Sequence, residues 1–319
     1  MSEKKAQRSY YGKALADLAS REDIVVLDAD LAGSTKTSDF QKVAPERFFQ
    51  IGIAEQNMIG VASGLAASGK TVFASTFAVF ASGRTWEQIR LAIAYPKLNV
   101  KVVATHCGIS VGEDGASHQA LEDIAIMRAL PNMVVISPAD AYEAYAATKA
   151  IADYDGPVYM RMGRSDFPTI LPEDVKFTIG KASVLKEGKD VTLFGTGQMV
   201  TECIAAAEIL AQDKITAEVI NISTIKPLDK EAVLKSVKKT RCAVTAEEHS
   251  IIGGLGSAVA ECVSENDPVP VLRIGTKDTF GESGNPADLM KKYGLTVEDI
   301  VKAAKEAVSK RPKKKRWSK

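Results

Sequence analysis

Histidine is scarce in this chain, with three among 319 residues. Cysteine is nearly as rare: Cys107, Cys203, Cys242 and Cys262 are widely spaced and form no CxxC pair. That pattern excludes a disulfide framework and a cysteine-based zinc site, and it predicts free thiols in a reducing cytosol. Neither sign of charge is in excess, with 41 Lys and Arg against 40 Asp and Glu and a net charge of +1. Such a balance gives no general affinity for nucleic acid, polyanions or a membrane surface. No stretch reaches the roughly 18 uncharged apolar residues of a membrane span. The opening MSEKKAQRSYYGK also lacks the apolar core of a signal peptide. The expectation is a cytoplasmic protein with neither nucleic acid nor membrane as partner. One charge run stands out, Arg311-Pro312-Lys313-Lys314-Lys315-Arg316-Trp317-Ser318-Lys319, which reads as a solvated basic tail over 311–319.

The length is too great for one ordinary core, and two α/β domains are the natural expectation. Tyr11, Ala14, Leu15 and Leu18 recur at helical spacing, so a helix runs to about Ser20. Short apolar strands then alternate with helices. Strands are expected at Ile24–Leu27, Thr71–Ser75, Val100–Thr105, Val134–Ile136 and Pro157–Met162. Helices are expected at Ala54–Ser68 (capped by Gly69), Arg84–Tyr95, Leu121–Leu130 and from Ser137-Pro138 to about Asp153. The pattern breaks over Gly163–Gly180, which holds two prolines, and resumes with a strand at Val191–Phe194 and a helix at Met199–Ala211. Further strands are expected at Ala217–Ile222, Cys242–Ala246 and Val269–Ile274. The fold class is α/β in two domains, each a mostly parallel sheet with helices on both faces. The boundaries are 1–165 and 183–310, joined by a linker over 166–182.

Chemistry concentrates in one loop, Thr105-His106-Cys107-Gly108-Ile109-Ser110-Val111-Gly112-Glu113-Asp114-Gly115-Ala116-Ser117-His118-Gln119. It holds two of the three histidines and three glycines, and it follows a buried strand, where α/β proteins place their sites. Asp114, His118 and His106 make a poor closed metal site without a fourth ligand nearby, and no metal site is expected on this chain. The turns Gly195-Thr196-Gly197 and Gly253-Gly254-Leu255-Gly256 match no complete phosphate-binding fingerprint and read as tight strand-to-helix turns. Glu55 opens a helix that is small or apolar on nearly all sides. The residues alone leave two readings open: a first-turn acid favoured by the helix dipole, or a carboxyl put to chemical use in an apolar setting.

The motifs Gly52-Ile53-Ala54-Glu55-Gln56-Asn57-Met58, Ser75-Thr76-Phe77-Ala78-Val79-Phe80 and Val111-Gly112-Glu113-Asp114-Gly115-Ala116-Ser117-His118-Gln119 resemble the transketolase family. Leu130-Pro131-Asn132, Pro138-Ala139-Asp140 and Glu247-Glu248-His249-Ser250-Ile251-Ile252-Gly253-Gly254-Leu255-Gly256 continue the match in the family's order. One element is missing. Full-length members begin with a pyrophosphate-binding domain that carries Gly-Asp-Gly and holds magnesium and thiamine diphosphate, and no Gly-Asp-Gly occurs here. The chain resembles the pyrimidine-binding and C-terminal domains split off as a subunit. The resemblance implies a partner chain carrying the N-terminal pyrophosphate-binding domain, an α2β2 heterotetramer, and transfer of a two-carbon ketol unit between sugar phosphates.

The same resemblance implies roles for individual residues. Glu55 faces the aminopyrimidine ring nitrogen of thiamine diphosphate and favours the imino tautomer. That role requires a raised pKa, to be supplied by desolvation among Ile51, Ile53, Met58 and Ile59. Phe77 and Phe80 form an apolar pocket around the ring, with Gly83 where the family usually has a third aromatic. His118 sits beside the substrate carbonyl, and Asp114 accepts a hydrogen bond from the hydroxyl next to the aldehyde. Arg8, Ser34, His106 and Arg164 hold the sugar phosphate, with Arg164 preferred over Arg161 because it lies four residues before Pro168. His249, beside Glu247 and Glu248 in the second domain, is expected to have a structural or interface role. The alternatives are the β subunit of a 2-oxo acid dehydrogenase or a deoxyxylulose-phosphate synthase relative and, in another class, a non-catalytic binding or regulatory protein.

Overall fold

The computed structural model describes residues 3–312. Runs such as Ile24–Leu27 and Val100–Ala104 are apolar on both sides of the strand, so they need a sheet covered on both faces. They lie in a seven-stranded sheet with the order Thr224–Lys226, Val134–Ile136, Val158–Arg161, Val100–Thr105, Thr71–Phe77, Ile24–Asp28, Phe48–Gln50. The six strands from the first half are parallel to one another. One face packs Met58, Ile59, Val102 and Ile124. The other packs Tyr11, Leu15, Phe73 and Ile151. The second sheet has the order Val271–Thr276, Ala243–Ser250, Val191–Gly195, Ala217–Asn221, Ser183–Lys186. Only its last pairing is antiparallel. The two-domain α/β architecture is therefore as expected.

Several elements differ from the sequence reading for identifiable reasons. The helix expected to start at Ser137-Pro138 begins at Ala141, because Asp140 is the cap: its carboxylate accepts from Glu143 N at 2.9 Å and from the amides of Ile170 and Leu171 at 2.8 Å. The helix expected over Arg84–Tyr95 is two π-helical stretches, Phe80–Arg84 and Ile89–Ala94, around a short α-turn at Trp86–Gln88. Thr85 between them has non-helical dihedrals. The helix Glu55–Ala67 is not buried all round, since Gln56, Asn57, Gly60, Val61 and Gly64 are exposed. Asp166–Pro168, expected as linker, pairs antiparallel with Lys4–Ala6. Helices not foreseen include the short turns Ala32–Thr35 and Ser38–Val43 and, in the second half, Lys230–Thr240, Pro286–Lys292 and Val297–Ser309, the last started by a capping box between Thr296 and Asp299.

The two halves are interlocked. Thr224–Lys226 from the second half adds an antiparallel edge strand to the first sheet. At the seam, Arg161 at the end of its strand pairs with Asp123 at 2.7 Å, both fully buried. Arg161 also donates to the carbonyls of Ala120 and Glu248, and Tyr159 donates to Asp123 at 2.7 Å. All four cysteines are free and buried. Among the described residues no helix is long and apolar enough to cross a membrane. Residues 313–319, most of the basic tail, lie outside the described residues.

Breaking the buried pair strands a charge. Asp123→Ala is expected to cost about 3–5 kcal/mol, and Asp123→Leu with Arg161→Met to recover only part of that loss, because the Tyr159 hydroxyl and the Ala120 and Glu248 carbonyls then lose their partners. Denaturant unfolding of the single and double variants checks both values.

Candidate active site

In a parallel sheet every strand delivers its C-terminal end to the same edge, and ligands bind there. Asp28, Phe77 and Thr105 end three neighbouring strands, and Glu55 starts the helix that follows a fourth. Glu55 is 5% exposed, and its Oε1 accepts from Arg84 Nη1 at 2.9 Å. The Arg84 guanidinium lies 4.1 Å from the centre of the Phe80 ring. The rings of Phe77 and Phe80 stack at 6.0 Å and 21°. His106 stacks on Phe77 at 3.8 Å, and His118 meets Phe80 edge-on at 5.3 Å. Arg8 donates to the Ser34 carbonyl at 2.9 Å. Arg164 donates to the Val111 carbonyl at 2.7 Å and pairs with Glu113 at 3.2 Å and Asp114 at 3.8 Å.

All nine expected residues thus converge on one edge, linked by contacts or by mutual electrostatic influence. Two features depart from the reading. The apolar surroundings expected for Glu55 are incomplete: Met58 and Ile59 face the core, Ile51 is half-buried, and Ile53 is 78% exposed. A guanidinium, not hydrocarbon, is the partner of the carboxylate. The second departure concerns His106, expected beside Arg8 and Arg164 as a residue that holds the sugar phosphate. Burial first, then the positive charges of Arg8 and Arg164 and neighbouring His118, lower its pKa to about 3. It is a neutral ring at physiological pH, held at φ 60° and hydrogen-bonded through Nδ1 to the Thr105 hydroxyl at 2.9 Å. Arg161 lies away from this cluster in its ion pair with Asp123.

The sequence reading missed Arg84, whose partner is 29 residues away, and Asp28. Asp28 is buried and accepts from Leu31 N and from the hydroxyls of Thr35 and Thr37, so it shapes the loop that carries Ser34. The acid ending an apolar strand and the threonines seven and nine residues on were its signal. At the glycine turn before Leu255, the Glu247 carboxylate accepts from Leu255 N and Gly256 N, so the chain's own acid occupies that helix N-terminus. Among the described residues no group of three or more His, Cys, Asp and Glu could hold a metal ion.

Comparison with known proteins decides the family. Residues 3–169 match the family profile described as transketolase, pyrimidine binding domain, and residues 180–300 match that described as transketolase, C-terminal domain. The chain belongs to the transketolase family. It is 54% identical to a Methanocaldococcus jannaschii protein described as a transketolase C-terminal section, over 96% of this chain and 97% of that one. It is 48% identical to the 6-deoxy-6-sulfo-D-fructose transketolase subunit SqwH of Clostridium sp. (strain MSTE9), over 95% of each chain. A solved structure titled as a split gene transketolase, inactive β4 tetramer, superposes with a TM-score of 0.91 at 54% identity, covering 96% of this chain and 99% of that one. Membership of the family implies dependence on thiamine diphosphate. The residues present fit the pyrimidine half of that cofactor: a buried carboxylate beside two stacked aromatic rings. This chain offers no Gly-Asp-Gly for its pyrophosphate half.

The neutral state of His106 has a direct signature. Because its pKa is depressed, any stability the ring contributes is complete above the ordinary value of 6.5 and is lost as pH falls from there toward about 3. The His106 ring-proton shifts, assigned by comparison with His106→Gln, are expected to stay flat from pH 8 to about 5. A titration near 6.5 would contradict the burial argument.

Proposed function

We propose that this chain is one subunit of a split transketolase that moves a two-carbon ketol unit from a ketose phosphate to an aldose phosphate in cytoplasmic pentose phosphate metabolism. It acts with a partner chain that carries the pyrophosphate-binding domain and most of the magnesium site, as an α2β2 heterotetramer. One observation supports this best: Glu55 and the stacked rings of Phe77 and Phe80 suit the pyrimidine half of the cofactor, while the chain carries no Gly-Asp-Gly for the pyrophosphate half. Exposed apolar side chains accompany the site: Ile53 just before the Glu55 helix, Val61 (36% exposed) on that helix, and Leu91 (55%) and Tyr95 (80%) on and just after the stretch Ile89–Ala94 that packs against it. Large apolar side chains left exposed, where they gather on one face, mark a protein interface.

When bound, thiamine diphosphate supplies the electron sink for breaking and making the carbon–carbon bond. The chain's residues do the rest. Glu55 holds a proton at the pyrimidine ring nitrogen, and Phe77 and Phe80 line the ring's apolar side. Arg84 bridges Glu55 and Phe80, so its guanidinium would have to move aside for a ring to be held between those two side chains. His118, its Nδ1 hydrogen-bonded to the Ser117 hydroxyl at 2.9 Å, orients the substrate carbonyl and its first hydroxyl. Asp114 accepts from the hydroxyl next to the aldehyde. Arg8 and Arg164 supply the charge for the terminal anion, while Ser34 and neutral His106 supply uncharged hydrogen bonds. The relative acting on a sulfonated ketose favours a second reading, in which the terminal anion is a sulfonate.

Co-expression with a chain bearing Gly-Asp-Gly, followed by a two-carbon transfer assay on xylulose 5-phosphate and on 6-deoxy-6-sulfofructose, tests both readings. Activity is expected only in the complex. Glu55→Gln is expected to lower the rate roughly 10²–10⁴-fold with the fold intact. A fully active single chain, or a near-normal Glu55→Gln complex, would refute the assignment.

A further inference from the structure

The loop Thr105–Gln119 carries His106, Asp114 and His118, and its three glycines suggest mobility. The structure gives them another purpose. Gly108, Gly112 and Gly115 all have positive φ, which favours glycine. Each also meets the C-terminal domain at close range. A Cβ on Gly108 would lie 2.3 Å from the Glu248 carboxyl carbon, one on Gly112 3.0 Å from Pro286, and one on Gly115 2.5 Å from the Ser283 hydroxyl. The second domain is pressed against the loop wherever a side chain is missing.

Polar contacts fix both ends of the loop. Glu248 Oε1 accepts from Ser110 N at 2.6 Å, and Gln198 Nε2 donates to Glu248 Oε2 and to the Ser110 hydroxyl, the latter at 3.3 Å. At the far end Gln119 Nε2 donates to the Ile109 carbonyl at 3.1 Å and to the Glu282 carbonyl at 2.9 Å. Glu248 is buried, and its carboxylate is the only side chain that binds the loop backbone from the second domain among the described residues. A buried amide deprived of its acceptor pays the full desolvation cost, so the loop has a strong preference for this one position.

We propose that Glu248 is a positioning residue: acting through Ser110, it holds the loop so that His106, Asp114 and His118 present a fixed surface to the sugar phosphate. This rests on the functional reading above, and it gives the C-terminal domain a task beyond assembly. Glu248 touches no substrate, so its effect falls on substrate affinity more than on turnover.

The test uses the full chain in complex with its partner and compares Glu248→Ala, Glu248→Gln and Gln198→Ala. Two readouts are taken: amide hydrogen exchange by peptide, and KM and kcat for the ketose phosphate. Glu248→Ala is expected to speed exchange at least about tenfold in 108–119 while leaving strands Thr71–Phe77 and Val191–Gly195 unchanged. It should raise KM about tenfold, equal to about 1.4 kcal/mol, with kcat within about threefold. Gln198→Ala, which leaves the Glu248–Ser110 hydrogen bond in place, should move both readouts the same way by a smaller factor. Glu248→Gln keeps an oxygen for the Ser110 amide and should restore KM to within about twofold. Unchanged loop exchange in Glu248→Ala, or faster exchange spread evenly over both domains with KM unaltered, would overturn the proposal. Exchange confined to the loop in a complex that turns over no sugar phosphate would uphold the clamp and overturn the functional reading instead.

Discussion

The buried pair between Arg161 and Asp123 is the constraint on which the rest of the site depends. A guanidinium excluded from water must find several acceptors, and Arg161 finds them in three separate elements: the Asp123 carboxylate, the Ala120 carbonyl at the end of the histidine loop, and the Glu248 carbonyl in the second domain. Tyr159 adds a hydrogen bond to the same carboxylate. One strand end is thereby tied to the loop and to the neighbouring domain at once. Displacing any of the three leaves buried polar atoms unpaired, so the seam has one favourable arrangement. The edge strand Thr224–Lys226, lent by the second half to the first sheet, fixes the same relation from the other side.

From this seam outward the site is a graded electrostatic surface. Arg8 and Arg164 both act on His106, and burial joins them in keeping that ring uncharged. Glu113 and Asp114 offset part of the Arg164 charge. The same seam holds Glu248, whose carboxyl burial pushes up to about 7 despite the Ser110 and Gln198 hydrogen bonds. A cluster with two guanidiniums and neutral donors suits a small terminal anion.

Much of this was legible in the sequence because parallel strands leave a strong mark. Short apolar runs ending in polar residues located most strands of the first sheet and the histidine loop after one of them, whereas Glu55, Phe77 and Phe80 were singled out by the family motifs. Local competition was harder to read. Ser137-Pro138 looks like a helix start, but Asp140 also serves the amides of residues 170 and 171 and so takes the cap. The run from Arg84 to Tyr95 has helical composition, yet it winds as π-helix around Thr85. Contacts across long sequence separations left no trace at all. Nothing near Glu55 announces Arg84, and nothing near Glu248 announces Ser110, 138 residues away. The loop glycines were visible, but their reason was not: they make room for another domain.

The central claim is that this chain holds half of a cofactor site and that a second chain supplies the other half. Calorimetric titration of thiamine diphosphate, with magnesium, into the single chain and then into the assembled complex tests it most directly. The account predicts saturable binding to the complex and none to the single chain at the same concentrations. Equal affinity for the two would contradict it.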